Sequence, residues 1–89
     1  MTYNLKWHEN AIDDLRILER KTRKKIITRL KEHLTEDPAN LEKPLRGIFK
    51  GLYRYRYGSH RIIYAIDYKA ATVIILRIGD RKEVYDEPL

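Results

Sequence analysis

The chain has 89 residues, a formal net charge of +6 and no cysteine, with 43% hydrophobic and 36% charged residues. Such a length gives one small domain, expected over residues 1–89, with a thin core. The absence of cysteine excludes a disulfide framework and a thiolate zinc site, and the positive balance favours an acidic partner such as nucleic acid or an acidic protein.

Tyr3 to Trp7 alternates weakly and predicts a short first strand. From His8 to Glu19, Ala11, Ile12, Leu15 and Leu18 recur at helical spacing and make one apolar face. Asp13-Asp14 reads as a solvated pair on the polar side of that helix. Arg20-Lys21-Thr22-Arg23 interrupts the pattern, and Thr22 is a candidate cap for a second helix. Ile26, Ile27, Leu30 and Leu34 supply the next stripe, so helix two is predicted from about Arg23 to Thr35. Asp37-Pro38 ends it. Residues 38–51 form a long connection whose middle, Lys43-Pro44-Leu45-Arg46-Gly47, is basic, with Leu45 expected to reach the core. No stretch reaches the ~18 apolar residues of a membrane span. The N-terminus lacks an apolar signal core, so no membrane association and a reducing, cytoplasmic location are expected.

Strict alternation from Tyr53 to Tyr57 predicts a strand with one aromatic and one cationic face. Gly58-Ser59 fits a two-residue type II′ turn, with glycine at the first central position. The register follows: Tyr57 opposite His60, Arg56 opposite Arg61, Tyr55 opposite Ile62. Like charges directly opposite each other destabilise a sheet, so an anion is expected beside Arg56 and Arg61. Residues 43–64 carry lysines, arginines and a histidine but no acid. A further strand from about Thr72 to Ile78 is an apolar run, as expected for a central strand. The order β-α-α-β-β-β predicts an α+β domain, two helices covering one face of a mostly antiparallel four-stranded sheet.

By parity, the helix-covered face holds Tyr53, Tyr55, Tyr57, Ile62, Tyr64 and Ile66. The opposite face holds Arg54, Arg56, Arg61 and Ile63, expected to be open to solvent or a ligand. The last strand adds Arg77 or Ile78 to it, and Arg81 and Tyr85 of the tail can fold over its rim. Arginine suits phosphate because its planar fork makes paired, charge-assisted hydrogen bonds. Tyr85 reads either as a tail anchor or as a surface for base stacking. His8, His33 and His60 share no metal-ligand spacing, so no metal is expected. Ser59, the only serine, sits in the turn, and no glycine-rich phosphate loop opens a helix.

With this order and hairpin, the chain resembles the RelE/ParE superfamily of bacterial and archaeal toxins. The resemblance rests on Pro44-Leu45-Arg46-Gly47, on Tyr53-Arg54-Tyr55-Arg56-Tyr57-Gly58-Ser59-His60-Arg61-Ile62-Ile63-Tyr64, and on Arg77-Ile78-Gly79-Asp80-Arg81-Lys82-Glu83-Val84-Tyr85. It covers nearly the whole length. RelE-like members are ribosome-dependent endoribonucleases acting on mRNA in the decoding site, and ParE-like members inhibit DNA gyrase. Arg81 followed by Val84-Tyr85 looks like the RelE ending. The resemblance implies a type II toxin–antitoxin toxin that cleaves mRNA without a metal or cofactor and inhibits translation. The alternatives are a ParE-like gyrase inhibitor and a decayed member that only binds its antitoxin.

In the RelE-type reaction the RNA 2′-OH attacks the adjacent phosphate, giving a 2′,3′-cyclic phosphate and a 5′-OH. The resemblance makes Arg61, Arg81 and Tyr85 the catalytic candidates: Arg61 on the scissile phosphate, Arg81 near the leaving oxygen, Tyr85 orienting a base. Arg54, Arg56, Arg46 and Arg77 are candidate RNA-phosphate ligands. Arg54 and Arg56 stand where the best-known RelE pattern has lysines. Arginine is effectively always protonated, so Arg56 is a poor general base. His60 has a suitable intrinsic pKa but faces away from Arg61 by parity. The remaining candidates are Tyr85, or a group supplied by the ribosome. The implied partners are a RelB-like antitoxin, the ribosome with its mRNA, and promoter DNA through the antitoxin complex alone.

Overall fold

Chain order and hydrogen bonding give a mixed sheet with its two helices on one side. The computed structural model describes residues 2–38 and 51–80. Along the described chain come β1 (Asn4–Trp7), α1 (Glu9–Ile17), α2 (Arg20–Arg29), β2 (Tyr53–Tyr57), β3 (His60–Asp67) and β4 (Thr72–Asp80). A π-helical turn over Leu30–Leu34 continues α2. The strand order is β1-β4-β3-β2, with β1 parallel to β4 and the other pairs antiparallel. The expected α+β arrangement is what the chain adopts.

His8 caps α1, its Nδ1 accepting from the Asn10 N–H at 3.1 Å. The chain breaks at Leu18, which is extended and half-buried against the core. Helix α2 therefore starts at Arg20, with Glu19 before it, and Thr22 lies inside the helix rather than at its cap. Arginine and lysine are good helix formers, so the basic run propagates the helix instead of breaking it.

Ile26, Leu30 and Leu34 are all fully buried. In an α-helix, residues four apart drift by about 40° per step. The wider turn over Leu30–Leu34 takes back part of that drift and keeps both leucines on the sheet.

These residues join Ala11 and Leu15 of α1, Tyr55, Ile62 and Tyr64 of the hairpin, and Val73, Ile75 and Ile78 of β4 in one core. Tyr53, Tyr57 and Ile66 pack against its edge, so the face assigned by parity is the face the helices cover. The Tyr64 hydroxyl, fully buried, donates to the Pro38 carbonyl at 2.6 Å. Tyr64 also stacks on Tyr53, with centroids 5.4 Å apart. The tyrosines of the alternating run are thus wall material, and two of their hydroxyls have specific partners: Tyr55 accepts from the Arg29 Nε and Tyr53 meets the Tyr68 hydroxyl.

Candidate anion-binding site

The predicted hairpin register holds at every pair: Tyr53 with Tyr64, Arg54 with Ile63, Tyr55 with Ile62, Arg56 with Arg61 and Tyr57 with His60. Gly58 has φ +59° and Ser59 has a negative φ, the combination of a type II′ turn. Arg56 and Arg61 therefore stand side by side on the face away from the helices. Arg61 is opposite Gly79 on its other flank. The cross-strand row reads Arg56, Arg61, Gly79: two cations and then a position with no side chain.

Burial departs from expectation. The cationic face is not open along its length. Arg56 is exposed and Arg54 half-buried, but Arg61 keeps only 9% of its surface and Ile63 none. Ile63 is flanked in register by Arg54 and Arg77, and long cationic side chains cover apolar surface with their stems. Arg61 is thus a recessed cation, with Arg56 as its exposed neighbour. The Arg61 Nε is shut off from solvent and has no hydrogen-bond partner among the described residues. A buried donor without a partner costs roughly 1–3 kcal/mol. An anion reaching Arg61 would supply the missing acceptor and relieve the repulsion from Arg56.

The β4 register settles which residue follows the cationic face. Tyr64 pairs with Ile75 but Ile63 with Arg77, so β4 carries one extra residue there, a β-bulge. The bulge reverses parity, sending Ile78 into the core and Arg77 to the other side of the pleat. Arg77 nevertheless does not extend over the face as a free phosphate ligand. Its Nε donates to Asp14 Oδ2 at 2.9 Å, at the β4 edge beyond the four residues that pair with β1. The Ile78 N–H donates to the same oxygen at 2.8 Å. The expected solvated acidic pair is divided: Asp13 meets Arg16 at the surface, 3.3 Å away, while Asp14 binds the sheet edge. The sequence signal for Asp14 was its place on the border of the Ala11–Leu15 stripe.

His60 stands in register with Tyr57 and so on the helix side of the pleat. Its side chain therefore lies on the face opposite that of Arg61, as parity predicts. Arg46, Arg81 and Tyr85 lie outside the described residues. Among the described residues no cluster of metal-binding side chains occurs, and no helix is long and apolar enough to cross a membrane.

A family model described as the ParE toxin of the type II toxin–antitoxin system, parDE, matches residues 5–85. Toxin RelG of Mycobacterium tuberculosis is 31% identical over 85 residues, which span 96% of this chain and 98% of that protein. Among solved structures, the toxin–antitoxin complex RelBE2 of M. tuberculosis contains a chain with a TM-score of 0.86 and 30% identity. The match covers 91% of this chain and 93% of that one. An arginine-to-alanine double mutant of E. coli toxin RelE in the free state has a TM-score of 0.79 and 28% identity. It covers 99% of this chain and 95% of that one.

Proposed function

The chain belongs to the RelE/ParE superfamily of type II toxin–antitoxin toxins, and on that footing we propose that it is a RelE-like endonuclease cutting mRNA at the ribosome. The observation that carries this reading is Arg61: a recessed guanidinium, a buried Nε–H without an acceptor among the described residues, and Arg56 directly opposite. A surface that merely docks a protein gains little from an orphaned, nine-tenths buried arginine. A site that meets a phosphate as its charge grows does.

In this reaction the substrate's own 2′-oxygen forms a bond to phosphorus and the bond to the 5′-oxygen breaks. The proton of the 2′-OH is lost and the 5′-oxygen gains one. The protein orients the sugar-phosphate and stabilises the extra charge. Arg61 donates to the non-bridging oxygens, and Arg56, Arg54 and Arg46 hold flanking phosphates. Arg81 acts at the leaving oxygen, and Tyr85 orients a base. Arg77 has a different task, because Asp14 holds it at the sheet edge.

The proton acceptor is the scarce component. Arg54 and Arg56 do not deprotonate at physiological pH, and His60 lies on the far side of the pleat. Tyr85 or the ribosome supplies it, which makes cleavage of naked RNA inefficient. The protein acts in the cytoplasm, where ribosomes are. It is neutralised by a RelB-like antitoxin, as the toxin–antitoxin complex among its structural neighbours suggests. Promoter DNA is met only through that complex.

Induction of the wild type and of Arg61→Ala, with mRNA ends and DNA breaks mapped, tests the reading. Codon-phased mRNA cuts that vanish in Arg61→Ala are expected. Double-strand DNA breaks with intact mRNA would replace this reading with gyrase inhibition. Normal growth with intact mRNA and DNA would leave antitoxin binding as the retained activity.

A further inference from the structure

A second cationic surface lies on the helix side of the sheet, at the hairpin tip. A groove of about 510 Å³ runs between α2 and Tyr57 of β2. Its α2 wall presents Lys21, Lys24, Lys25 and Arg29, with Thr28 between them and Glu32 at one end. Helix α2 itself, Arg20–Arg29, contains no acid. Among the described residues none of the four cations is paired with a carboxylate. Helical spacing alone would place such a run in solvent. The four are exposed here too, but Tyr57 of β2 lines the groove with them.

Arg29 is the built part of this groove. Its Nε donates to the Tyr55 hydroxyl at 3.0 Å, and Tyr55 is anchored in the core at 7% exposure. That bond fixes the guanidinium and leaves its terminal nitrogens for a ligand. A fork held in place loses less entropy on binding a planar anion. The lysine stems and the Tyr57 ring form an apolar floor, while the ammonium groups form the rim.

The groove and Arg61 are on opposite faces, because Tyr57 and Arg56 are neighbours in a strand and point to opposite sides. An RNA strand held at Arg61 must turn around the β2 edge to reach the groove. The floor is apolar, and Glu32 places a carboxylate in the path of any continued run of phosphates. A polypeptide carrying acidic and apolar side chains matches both features. Its carboxylates meet Arg29 and the lysines, an apolar side chain covers Tyr57, and a backbone N–H or a basic residue meets Glu32.

We infer that this groove docks an acidic, partly apolar polypeptide segment, and, resting on the toxin–antitoxin reading, that the segment belongs to the antitoxin. Capture and silencing then use different faces. The groove holds the partner behind the sheet, and a separate part of the partner covers Arg61. A partner engaged only at the groove leaves the phosphate site accessible.

The test uses the full chain and two labelled probes: a peptide of glutamate and leucine, and a single-stranded RNA blocked at every 2′-oxygen. The variant Lys21→Glu/Lys24→Glu/Lys25→Glu changes three exposed positions. Lys6→Glu/Arg16→Glu/Lys69→Glu, also at exposed positions, makes the same change of net charge elsewhere. The groove variant is expected to bind the peptide at least about tenfold more weakly than the matched control, with RNA binding equal in the two. Arg61→Ala is expected to weaken RNA and spare the peptide. The inference is overturned if the peptide binds the groove variant and the control equally. It is also overturned if the groove variant loses RNA and keeps the peptide, which would make the groove a nucleic-acid track. Neither probe reads cleavage, so failure of the nuclease reading leaves this result standing on its own.

Discussion

Asp14 of α1 holds Arg77 of β4, its Oδ2 accepting from the Arg77 Nε at 2.9 Å and from the Ile78 N–H at 2.8 Å. Strand β1 covers β4 only from Thr72 to Ile75, so the rest of that edge would present unpaired backbone groups. Helix α1 covers it with one carboxylate. Arg77 and Asp14 are only 18% and 13% exposed. Removing the acceptor takes a charge-assisted partner from the Arg77 guanidinium and leaves the Ile78 N–H without its acceptor. Asp14→Ala is therefore expected to lower stability by about 2–4 kcal/mol, read from urea unfolding. Asp14→Asn keeps one acceptor oxygen and should lose about half of that.

Ala71 closes the β3–β4 turn with φ +48°, a left-handed conformation for a residue with a Cβ. The turn is held by the Asp67 carboxylate, which accepts from the Ala70 N–H at 3.1 Å. A left-handed non-glycine residue costs roughly 1–2 kcal/mol, part of which glycine returns as unfolded-state entropy. Ala71→Gly is expected to raise the unfolding free energy by about 0.5–1 kcal/mol. An unchanged or lower urea midpoint would show that the turn relaxes around the alanine.

The Tyr53 and Tyr68 hydroxyls lie 3.1 Å apart. That hydrogen bond, then burial, raises the Tyr53 pKa above its ordinary 10.0. A raised phenol pKa means that the folded state holds its proton longer than the unfolded one. The associated stability is present below pH 10 and is lost as pH rises through the raised value. Urea midpoints measured at increasing alkalinity should fall over that range. In Tyr68→Phe the part of the slope due to Tyr53 should shrink.

Much of the fold was legible because its strongest signals are local. Alternation from Tyr53 to Tyr57 and a glycine at the first turn position fix a register by themselves, and each predicted pair is present. The core face followed from the same parity. What escaped depends on groups distant in sequence. The place of Asp14 on the border of the Ala11–Leu15 stripe marks it as half-buried but does not say that it binds residues 63 and 64 positions away. The bulge in β4 that redirects Arg77 has no glycine or proline to mark it. Helix α2 starts at Arg20 and not near Arg23, because the basic run that interrupts the apolar pattern is itself made of good helix formers. In the candidate site, the Arg56–Arg61 pairing was readable. The burial of Arg61 was not, since exposure belongs to the assembled sheet and not to the strand.

Arg61 combines a buried donor without an acceptor among the described residues and a like charge across the strand pair. Both features cost stability, so replacing the side chain by an apolar one of similar length should remove them. Arg61→Met is expected to keep or raise the urea midpoint, by up to about 1 kcal/mol in unfolding free energy. A marked loss of stability would show that Arg61 is held by the fold for structural reasons.

The most direct measurement is single-turnover cleavage of mRNA on programmed ribosomes by the wild type and by Arg61→Met. If the recessed guanidinium meets the scissile phosphate as its charge grows, the rate constant falls by about 10²–10³. Cleavage by Arg61→Met within about threefold of the wild-type rate would contradict a phosphate site built around Arg61.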